Sequence, residues 1–277
     1  MRLDLQALLN LKKEASMVKK QQSKSQKNKI SLIPSEVGKP LLDDFCPRCF
    51  WFTKKFPIYD KHPFYFPMAG LLSITDKYVK DVVKWHMQTL NQLPTWILNQ
   101  LKNFYPHLDF ENIRLIKPTI WQVSLFNGAC LLKGQPDEII EFSDGSWFII
   151  DYKTAALTDY QAKLRPLYEA QLNAYAYLAN KKLEKPVVGL ALVYFDPEYK
   201  DLNDEVMLHR TKEKFLFGFN PTVVPVKLMD PEWVEDLCQT LFEILSLDTP
   251  PEGRSNCEGC NLLQDWINKI NSYIGLI

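Results

Sequence analysis

The segment from residue 134 to residue 195 constrains the fold most, because apolar runs and a helical pattern follow one another there in a definite order. The runs EIIEF and SWFII are separated by a Ser-Asp-Gly tripeptide at 143–145, which is typical of a hairpin turn. Residues 167–181 predict a helix, and VVGLALVYF at 187–195 is the almost continuous apolar run of a strand buried on both faces. This order predicts a β-β-α-β unit.

The flanking segments extend this unit on both sides. Residues 75–103 predict a helix in two pieces that are separated at Pro94, with an apolar stripe along each piece. Asp230 as an N-cap and Pro231 at the first helical position predict a closing helix over 230–245. Further strands are predicted at IRLIKPTI (113–120), WQVSLF (121–126), ACLLKGQPDEIIEF (129–142), KFLFGF (214–219) and TVVPVKL (222–228). The chain is therefore expected to form an α/β domain.

Charge is unevenly distributed, although the formal net charge of the 277 residues is zero. Residues 1–30 contain eight Lys and Arg but two acidic residues. We therefore interpret residues 1–36 as a basic, disordered arm and residues 37–277 as a single domain. The arm is either a solvated tail or an electrostatic tether to nucleic acid. The sequence has no signal peptide and no apolar run of about 18 residues, so a soluble, cytoplasmic protein is expected.

Asp137, Asp151 and Lys153 form the candidate catalytic site. Asp137 follows a Gly-x-Pro sequence on one predicted strand, and Asp151 and Lys153 end the next strand two residues apart, so that their side chains leave the same face. The hairpin would bring the two carboxylates together, and facing carboxylates are unfavourable unless a cation lies between them. Oxygen ligands favour Mg²⁺ or Mn²⁺ over zinc. The alternative interpretation is a strand end with ordinary solvated charges.

These residue types suit the hydrolysis of a phosphodiester. A divalent ion would lower the pKa of a bound water and neutralise charge that develops on the phosphate. Lys153 would orient the attacking water and stabilise the transition state. Gln171 and Tyr175 stand four residues apart on the following helix and hence on one face, from which both could point over the site toward a nucleic-acid backbone.

Three short motifs resemble those of the RecB-like branch of the PD-(D/E)XK nuclease superfamily: Gly134-x-x-Asp137, Asp151-Tyr152-Lys153 and Gln171-x-x-x-Tyr175. The resemblance implies a restriction-endonuclease-like core, in which a central mixed β-sheet is flanked by helices. It also implies that Asp137, Asp151 and the backbone carbonyl of Tyr152 are metal ligands and that Lys153 is the catalytic lysine. Gln171 and Tyr175 match the motif that follows the catalytic strand.

Members of this branch usually contribute a further histidine or acidic ligand from the helix before the first active-site aspartate. His86, in KDVVKWHMQ, is the candidate for this ligand here. A partly exposed structural histidine is the alternative.

Two Cys-x-x-Cys units lie at opposite ends of the predicted domain: Cys46 with Cys49, and Cys257 with Cys260. Together they can complete a four-thiolate site that joins the N- and C-terminal segments, whereas two unrelated pairs of buried thiols are the alternative. Several relatives, including CRISPR-associated nucleases and the AddB subunit, hold an iron–sulfur cluster in a similar way. The resemblance thus implies a [4Fe–4S] cluster, with Zn²⁺ as the alternative, because this sequence divides its cysteines two and two rather than one and three.

The expected function is that of a Mg²⁺- or Mn²⁺-dependent deoxyribonuclease, acting as an exonuclease on single-stranded or end-bearing DNA. The alternative is a non-catalytic nucleic-acid-binding or scaffold module of a repair or CRISPR-type complex. The sequence has no Gly-x-x-x-x-Gly-Lys-[Ser/Thr] motif, so any unwinding is expected to come from a partner such as a helicase subunit.

Overall fold

The structure is a computed structural model, and it describes residues 29–56, 70–197 and 218–274. The helices within these ranges are α1 (Pro34–Val37), α2 (Pro47–Lys55), α3 (Gly70–Leu90), α4 (Thr95–Phe104), α5 (Asp159–Leu183), α6 (Pro231–Ser246) and α7 (Glu258–Ile274). The strands are β1 (Ile30–Leu32), β2 (Ile113–Ile116), β3 (Trp121–Leu125), β4 (Cys130–Gly134), β5 (Glu138–Phe142), β6 (Trp147–Lys153), β7 (Val187–Pro197) and β8 (Phe219–Val226). Among the described helices, none combines the length and the apolar character of a membrane span.

A five-stranded mixed sheet forms the centre of the molecule, with the strand order β2-β5-β6-β7-β8. Strands β5 and β6 form an antiparallel hairpin, and β6 and β7 pair in parallel through the crossover helix α5. A parallel pair needs such a crossover, because a short turn cannot return the chain to the starting edge. The predicted β-β-α-β unit and the central mixed sheet flanked by helices are confirmed.

Both faces of this sheet are buried, which explains the near-continuous apolar runs of its central strands. Side chains alternate between the faces, so that Ile149 joins the cluster with α5 and α6 while Ile150 joins the cluster with α3 and α4. On β7, Leu190 joins the cluster with α5 and α6, and Ala191 joins the cluster with α3 and α4. The sheet is therefore held between two helical layers, and the carboxyl ends of β6 and β7 reach one common edge.

A second, three-stranded sheet has the order β1-β4-β3. The predicted run at 129–142 is in fact two strands, because the chain leaves the small sheet after Gly134 and enters the large sheet at Glu138. Strand β1 (Ile30–Leu32) pairs in parallel with β4, and α1 then packs against α5. The two helices approach so closely at Gly38 that a Cβ placed on this glycine would lie 2.7 Å from the Cα of Leu167. Residues 30–32 and 34–36, which the sequence analysis placed in the basic arm, form β1 and most of α1. Residues 1–28 lie outside the described residues.

Helices α5 and α7 differ from the sequence-based expectation. Helix α5 begins at Asp159 rather than at 167, with the hydroxyl of Thr158 accepting a hydrogen bond from the Gln161 backbone N–H at 3.3 Å. Pro166 lies inside the helix and removes one backbone donor, but it does not end the helix. Helix α7 was not predicted, although its apolar residues recur every three or four positions from Leu263 onward. Of the predicted strand at 214–219, residues 214–217 lie outside the described residues.

Candidate active site and cysteine cluster

The two predicted carboxylates meet at one edge of the five-stranded sheet. Glu138 pairs with Ile150 in the β5–β6 register, so Asp137 and Asp151 are the next residues along the two strands. The backbone N–H of Tyr152 donates a hydrogen bond to Oδ2 of Asp137 at 3.0 Å. The hairpin thus holds Asp137 beside the strand that carries Asp151.

Lys153, Asp151 and Gln171 form a closed network on the α5 side of the sheet. Lys153 Nζ lies 2.5 Å from Asp151 Oδ2 and donates a hydrogen bond to Gln171 Oε1 at 3.1 Å. Gln171 Nε2 donates to Asp151 Oδ1 at 3.0 Å. Gln171 is buried. Its amide therefore holds the acid and the lysine in position from the protein side, instead of pointing outward as the sequence analysis expected.

Two tyrosines of α5 flank this network. Tyr175 lies one turn after Gln171 and is buried. Burial raises the pKa of Tyr175 to about 12, although a hydrogen bond with Gln171 lowers it in part. Sequence reasoning missed Tyr168, whose ring centroid lies 4.2 Å from Lys153 Nζ in a cation–π contact. The available signal was its position three residues before Gln171, which places both on one face of the helix.

The environment of Asp151 favours a cation. Burial raises the pKa of Asp151 to about 6, the positive charge of Lys153 opposes this shift, and the charge of Asp137 adds to it. Its Oδ2 accepts no hydrogen bond of regular geometry within the described part of the chain, but it forms an ion pair with the Lys153 ammonium at 2.5 Å. A buried carboxylate is costly without a neighbouring positive charge, and Lys153 already supplies part of that charge.

Glu138, the residue after Asp137, is a second buried acid that was not predicted. Its side chain is 2% exposed, and its Oε2 has no hydrogen-bond partner among the described residues. Burial raises the pKa of Glu138 to about 7, while Lys84 and the backbone N–H of Ile139 oppose the shift. The hydroxyl of Tyr152 is likewise buried and unsatisfied within the described ranges.

Helix α3 contributes Lys80 to the site, a residue that sequence reasoning also missed. Lys80 Nζ donates to Asp137 Oδ1 at 2.9 Å and lies 2.9 Å from Asp76 Oδ2, one helical turn earlier. Burial lowers the pKa of Lys80, but Asp137 and Asp76 outweigh this effect and raise it. No sequence pattern separates Lys80 from the other lysines of α3, because only the tertiary contact with Asp137 distinguishes it.

The structure does not bring His86 together with the two carboxylates. Its ring lies against Trp85 and Trp96, with centroid distances of 5.2 and 6.5 Å. In the part of the chain that is described, the four cysteines are the only group of three or more His, Cys, Asp or Glu residues that lie close enough together to hold one metal ion. His86 therefore does not cluster with the two carboxylates. The α3 side chain that reaches Asp137 is Lys80, because the helix turns His86 toward aromatic neighbours.

The residues at the sheet edge fit a divalent cation. Asp137 and Asp151 supply hard oxygen donors, which suit Mg²⁺ and Mn²⁺. The ion pairs of Lys153 with Asp151 and of Lys80 with Asp137 both show that positive charge is favoured here. The backbone carbonyl of Tyr152 is directed to the same side as its N–H, since both groups of a strand residue face the same neighbouring strand. That side is the one on which Asp137 lies.

The four predicted cysteines come together in one cluster. The Sγ–Sγ distances are 3.6 Å for Cys46 and Cys260, 3.5 Å for Cys49 and Cys257, and 3.6 Å for Cys49 and Cys260. All four sulfur atoms lie within 4.8 Å of one another. The cluster joins the start of α2 to the start of α7. It therefore links the N- and C-terminal segments, as the sequence predicts.

Each Cys-x-x-Cys unit begins a helix, and this arrangement favours thiolates. Cys46 is the N-cap of α2, and Cys257 immediately precedes α7. The positive end of the helix dipole stabilises an anionic sulfur. Burial opposes ionisation of Cys46, but hydrogen bonds from the backbone N–H groups of Cys49 and Arg254 lower its pKa to about 6. Burial and the neighbouring cysteines raise the pKa of Cys49.

The surroundings of the sulfur atoms leave little free space. A Cβ placed on Gly253 would lie 2.9 Å from Cys260 Sγ, and one on Gly259 would lie 3.1 Å from Cys49 Sγ. Both glycines therefore allow the backbone to approach the cluster closely. The four thiolates fit a metal ion, and the other two cysteines, Cys130 and Cys238, are buried in the core as expected.

Comparison with known proteins gives one family. The family model described as the PD-(D/E)XK nuclease superfamily matches residues 72–264, a range that contains both carboxylates, Lys153 and the second cysteine pair. A solved structure titled "Crystal structure of SSO0001" is 13% identical in sequence; the similarity covers 89% of this chain and 90% of that chain, with a TM-score of 0.36. A similarity at this level supports no conclusion about this chain. No curated protein matches.

Proposed function

The chain belongs to the PD-(D/E)XK nuclease superfamily, and from this we propose that it is a Mg²⁺- or Mn²⁺-dependent deoxyribonuclease that acts on single-stranded or end-bearing DNA. The observation that carries the proposal is the acid–acid–lysine site at the sheet edge. Asp137 is hydrogen-bonded to the catalytic strand at Tyr152, and Lys153 Nζ lies 2.5 Å from Asp151. Metal-dependent nuclease activity is what the superfamily implies, and DNA as the substrate is the proposed refinement.

Each residue has a proposed role. Asp137, Asp151 and the Tyr152 carbonyl would hold the divalent ion, which supplies activation of water and neutralisation of charge at the phosphate. Lys153 would bring a positive charge to the attacked phosphate. Gln171 fixes both Asp151 and Lys153 through its amide, and Tyr175 packs behind Gln171. The buried network favours a preorganised site, because its members are tied to one another before substrate arrives.

The RecB-like branch is proposed on the motifs of α5. Gln171 and Tyr175 occupy the positions of that motif and lie directly behind the acid and the lysine. An exonuclease acting on DNA ends, with a helicase or another complex subunit as partner, follows from the same resemblance. The basic segment at residues 1–28 supports binding to a polyanion by charge alone.

The test is cleavage of end-labelled single-stranded DNA, duplex DNA and RNA by the purified protein with Mg²⁺, Mn²⁺ or EDTA. We expect metal-dependent cleavage of DNA that is lost in Asp151→Asn and in Lys153→Met. Lys102→Met is the matched control, because Lys102 is a lysine of α4 that pairs with Glu111. Circular dichroism and thermal unfolding would show that each variant is folded.

The possible outcomes separate the alternatives. Cleavage of RNA with no cleavage of DNA would correct the proposed substrate while keeping the site. Binding of DNA without cleavage by folded, metal-supplied wild-type protein would favour the non-catalytic binding module. Cleavage that survives both Asp151→Asn and Lys153→Met would place the activity elsewhere.

We further propose that the four cysteines hold a single Zn²⁺ ion. Zinc bound to four thiolates at about 2.3 Å in a tetrahedron places the sulfur atoms about 3.8 Å apart. Three of the six Sγ–Sγ distances are 3.5 or 3.6 Å, close to this value, and all six lie within 4.8 Å. A [4Fe–4S] cluster, which the resemblance favoured, attaches each thiolate to a different iron atom and so needs the sulfur atoms farther apart. The spacing therefore supports zinc over the iron–sulfur cluster.

A further inference from the structure

Lys80 lies between two carboxylates at the candidate metal site. Its Nζ is 2.9 Å from Asp137 Oδ1 and 2.9 Å from Asp76 Oδ2. Asp137 belongs to the proposed metal-binding pair, whereas Asp76 lies on α3, four residues before Lys80. A monovalent ammonium group thus neutralises the carboxylate that a divalent ion would bind.

The neighbouring Lys77 shows that this arrangement is not a general property of α3. Lys77 pairs with Asp81 at 2.7 Å with the same four-residue spacing, but their side chains are 76% and 52% exposed. The Lys80 side chain is 26% exposed, and that of Asp137 is 24% exposed. An ion pair in the more buried position is less screened by water and so has a larger effect on its partners.

A divalent ion and the Lys80 ammonium cannot both remain on Asp137 without strong repulsion, because like charges at this distance repel. Lys80 has another partner available. Asp76 can retain the ammonium after it leaves Asp137, and because both residues lie on one helix, a change in side-chain rotamers is sufficient. Helix α3 itself need not move.

We propose that Lys80 is a resident counter-ion of the metal site, which neutralises Asp137 in the metal-free protein and is displaced toward Asp76 when the divalent ion binds. The inference rests on the proposed function, since it requires Asp137 to hold the ion. Lys80 is thereby a positioning residue: it keeps Asp137 in place before the metal arrives, and it competes with the metal for that carboxylate. Removing its charge therefore strengthens metal binding.

The test is a titration of the full-length protein with Mn²⁺, followed by electron paramagnetic resonance of the free ion. We expect Lys80→Met to bind Mn²⁺ more tightly than the wild type by roughly fivefold or more, the lower end of typical couplings between linked equilibria. Lys77→Met, the matched control, should bind Mn²⁺ like the wild type. Asp137→Asn should abolish Mn²⁺ binding at this site, both in the wild-type protein and in combination with Lys80→Met.

A measurement on the wild-type protein keeps the proposal testable if Lys80→Met does not fold. Amine-reactive labelling, read out by peptide mass spectrometry, should increase at Lys80 when Mn²⁺ is added, because the ammonium loses one carboxylate partner. Labelling of Lys77 should not change. A decrease or no change at Lys80 would overturn the proposal.

Different patterns of Mn²⁺ binding would contradict this inference and the proposed function. If Asp137→Asn abolishes Mn²⁺ binding but Lys80→Met binds with unchanged or lower affinity, Lys80 does not compete with the metal and the inference is wrong. If the wild type shows no Mn²⁺ binding that depends on Asp137, the metal site itself is wrong, and the inference falls with it.

Discussion

The backbone N–H of Tyr152 donates a hydrogen bond to Asp137 Oδ2 at 3.0 Å, so the strand that carries Lys153 also orients the carboxylate that immediately precedes the neighbouring strand. Oδ1 of the same carboxylate contacts Lys80. The position of Asp137 is therefore set by the backbone of the sheet and by one cation. Because strands are more rigid than loops, a site built in this way holds its geometry with little reorganisation.

Gln171 should be required for activity although it is buried away from the substrate. Gln171→Leu keeps the approximate volume but removes the hydrogen bonds to Asp151 and Lys153. We expect a loss of about 10- to 100-fold in the single-turnover cleavage rate, the range found for residues that support metal ligands. The rate would be measured on single-stranded DNA with saturating Mn²⁺.

Asn173→Leu is the matched control for this substitution. Asn173 is also a buried amide of α5, but it bonds to the backbone of Lys227, Met229 and Glu169 instead of the site. Its replacement should lower the free energy of unfolding by about 1–3 kcal/mol while the rate per folded molecule stays near the wild-type value. Equal losses of rate in both variants would show that Gln171 acts only through stability.

Glu138 should destabilise the protein above neutral pH. Its pKa is raised to about 7 from an ordinary value of 4.5, chiefly by burial. The folded state therefore holds its proton more tightly than the unfolded state, and stability is lost as the pH rises from 4.5 through 7. We expect Glu138→Gln to raise the free energy of unfolding by roughly 1–3 kcal/mol at pH 8 and by much less at pH 4.5, measured by urea denaturation without added Mg²⁺ or Mn²⁺.

Glu141, on the same strand, should behave in the opposite way. Hydrogen bonds with Trp147, Arg114 and Lys185 lower the pKa of Glu141, so its charged form stabilises the folded protein above its unfolded pKa. Glu141→Gln should reduce stability at pH 8, and the reduction should shrink as the pH falls through the lowered pKa. If both glutamine variants change stability in the same direction at pH 8, burial does not dominate at Glu138.

Much of the central fold was predictable because its strands and its crossover helix depend on local patterns. The hairpin turn at 143–145 and the doubly buried run at 187–195 determine the β-β-α-β order, and this order brings Asp137 to Asp151. The division between β4 and β5 was missed although the sequence contains a signal for it: Gly134 and Pro136 lie in a polar stretch between the two apolar runs, where the chain changes sheets.

The parts of the site that were missed depend on contacts between distant segments. Lys80 resembles the other lysines of its helix in sequence, and only its tertiary contact with Asp137 selects it. Glu138 follows Asp137 and has the pattern of an exposed acid, yet the covering layer makes it 2% exposed. Our proposal of zinc instead of an iron–sulfur cluster also rests on distances, because the two metal centres use the same Cys-x-x-Cys units.

The purified protein should contain about one zinc ion per chain, the stoichiometry of a four-thiolate site. Cys257→Ser should lose this zinc and lower the thermal unfolding temperature, because α7 is no longer joined to α2 through the cluster. Elemental analysis by mass spectrometry measures the metal. Cys238→Ala is the control: its thiol is buried in the core, so stability can fall while zinc is retained. Iron and inorganic sulfide in anaerobically purified protein would contradict the zinc assignment.

Gly134 should not tolerate a side chain, because Pro34, the first residue of α1, lies directly against it. A Cβ at this position would lie 2.5 Å from Cδ and Cγ of Pro34 and 3.0 Å from Cε1 of Tyr175. Gly134→Ala should therefore lower the free energy of unfolding by about 1–3 kcal/mol, the usual cost of overpacking. The same overlap pushes on Tyr175, which packs behind Gln171, so the cleavage rate should fall as well.

A double-mutant cycle with Pro34→Ala tests this cause, because that substitution removes the two atoms that would overlap. The combined variant should be more stable than the sum of the single effects predicts, by an interaction energy of about 0.5–3 kcal/mol measured in urea. Additive effects would mean that Gly134 is required for its own backbone conformation and not for the approach of Pro34. A positive interaction energy would instead explain the glycine of the Gly-x-x-Asp motif by packing: the first residue of α1 can approach the end of β4 only where β4 has no side chain.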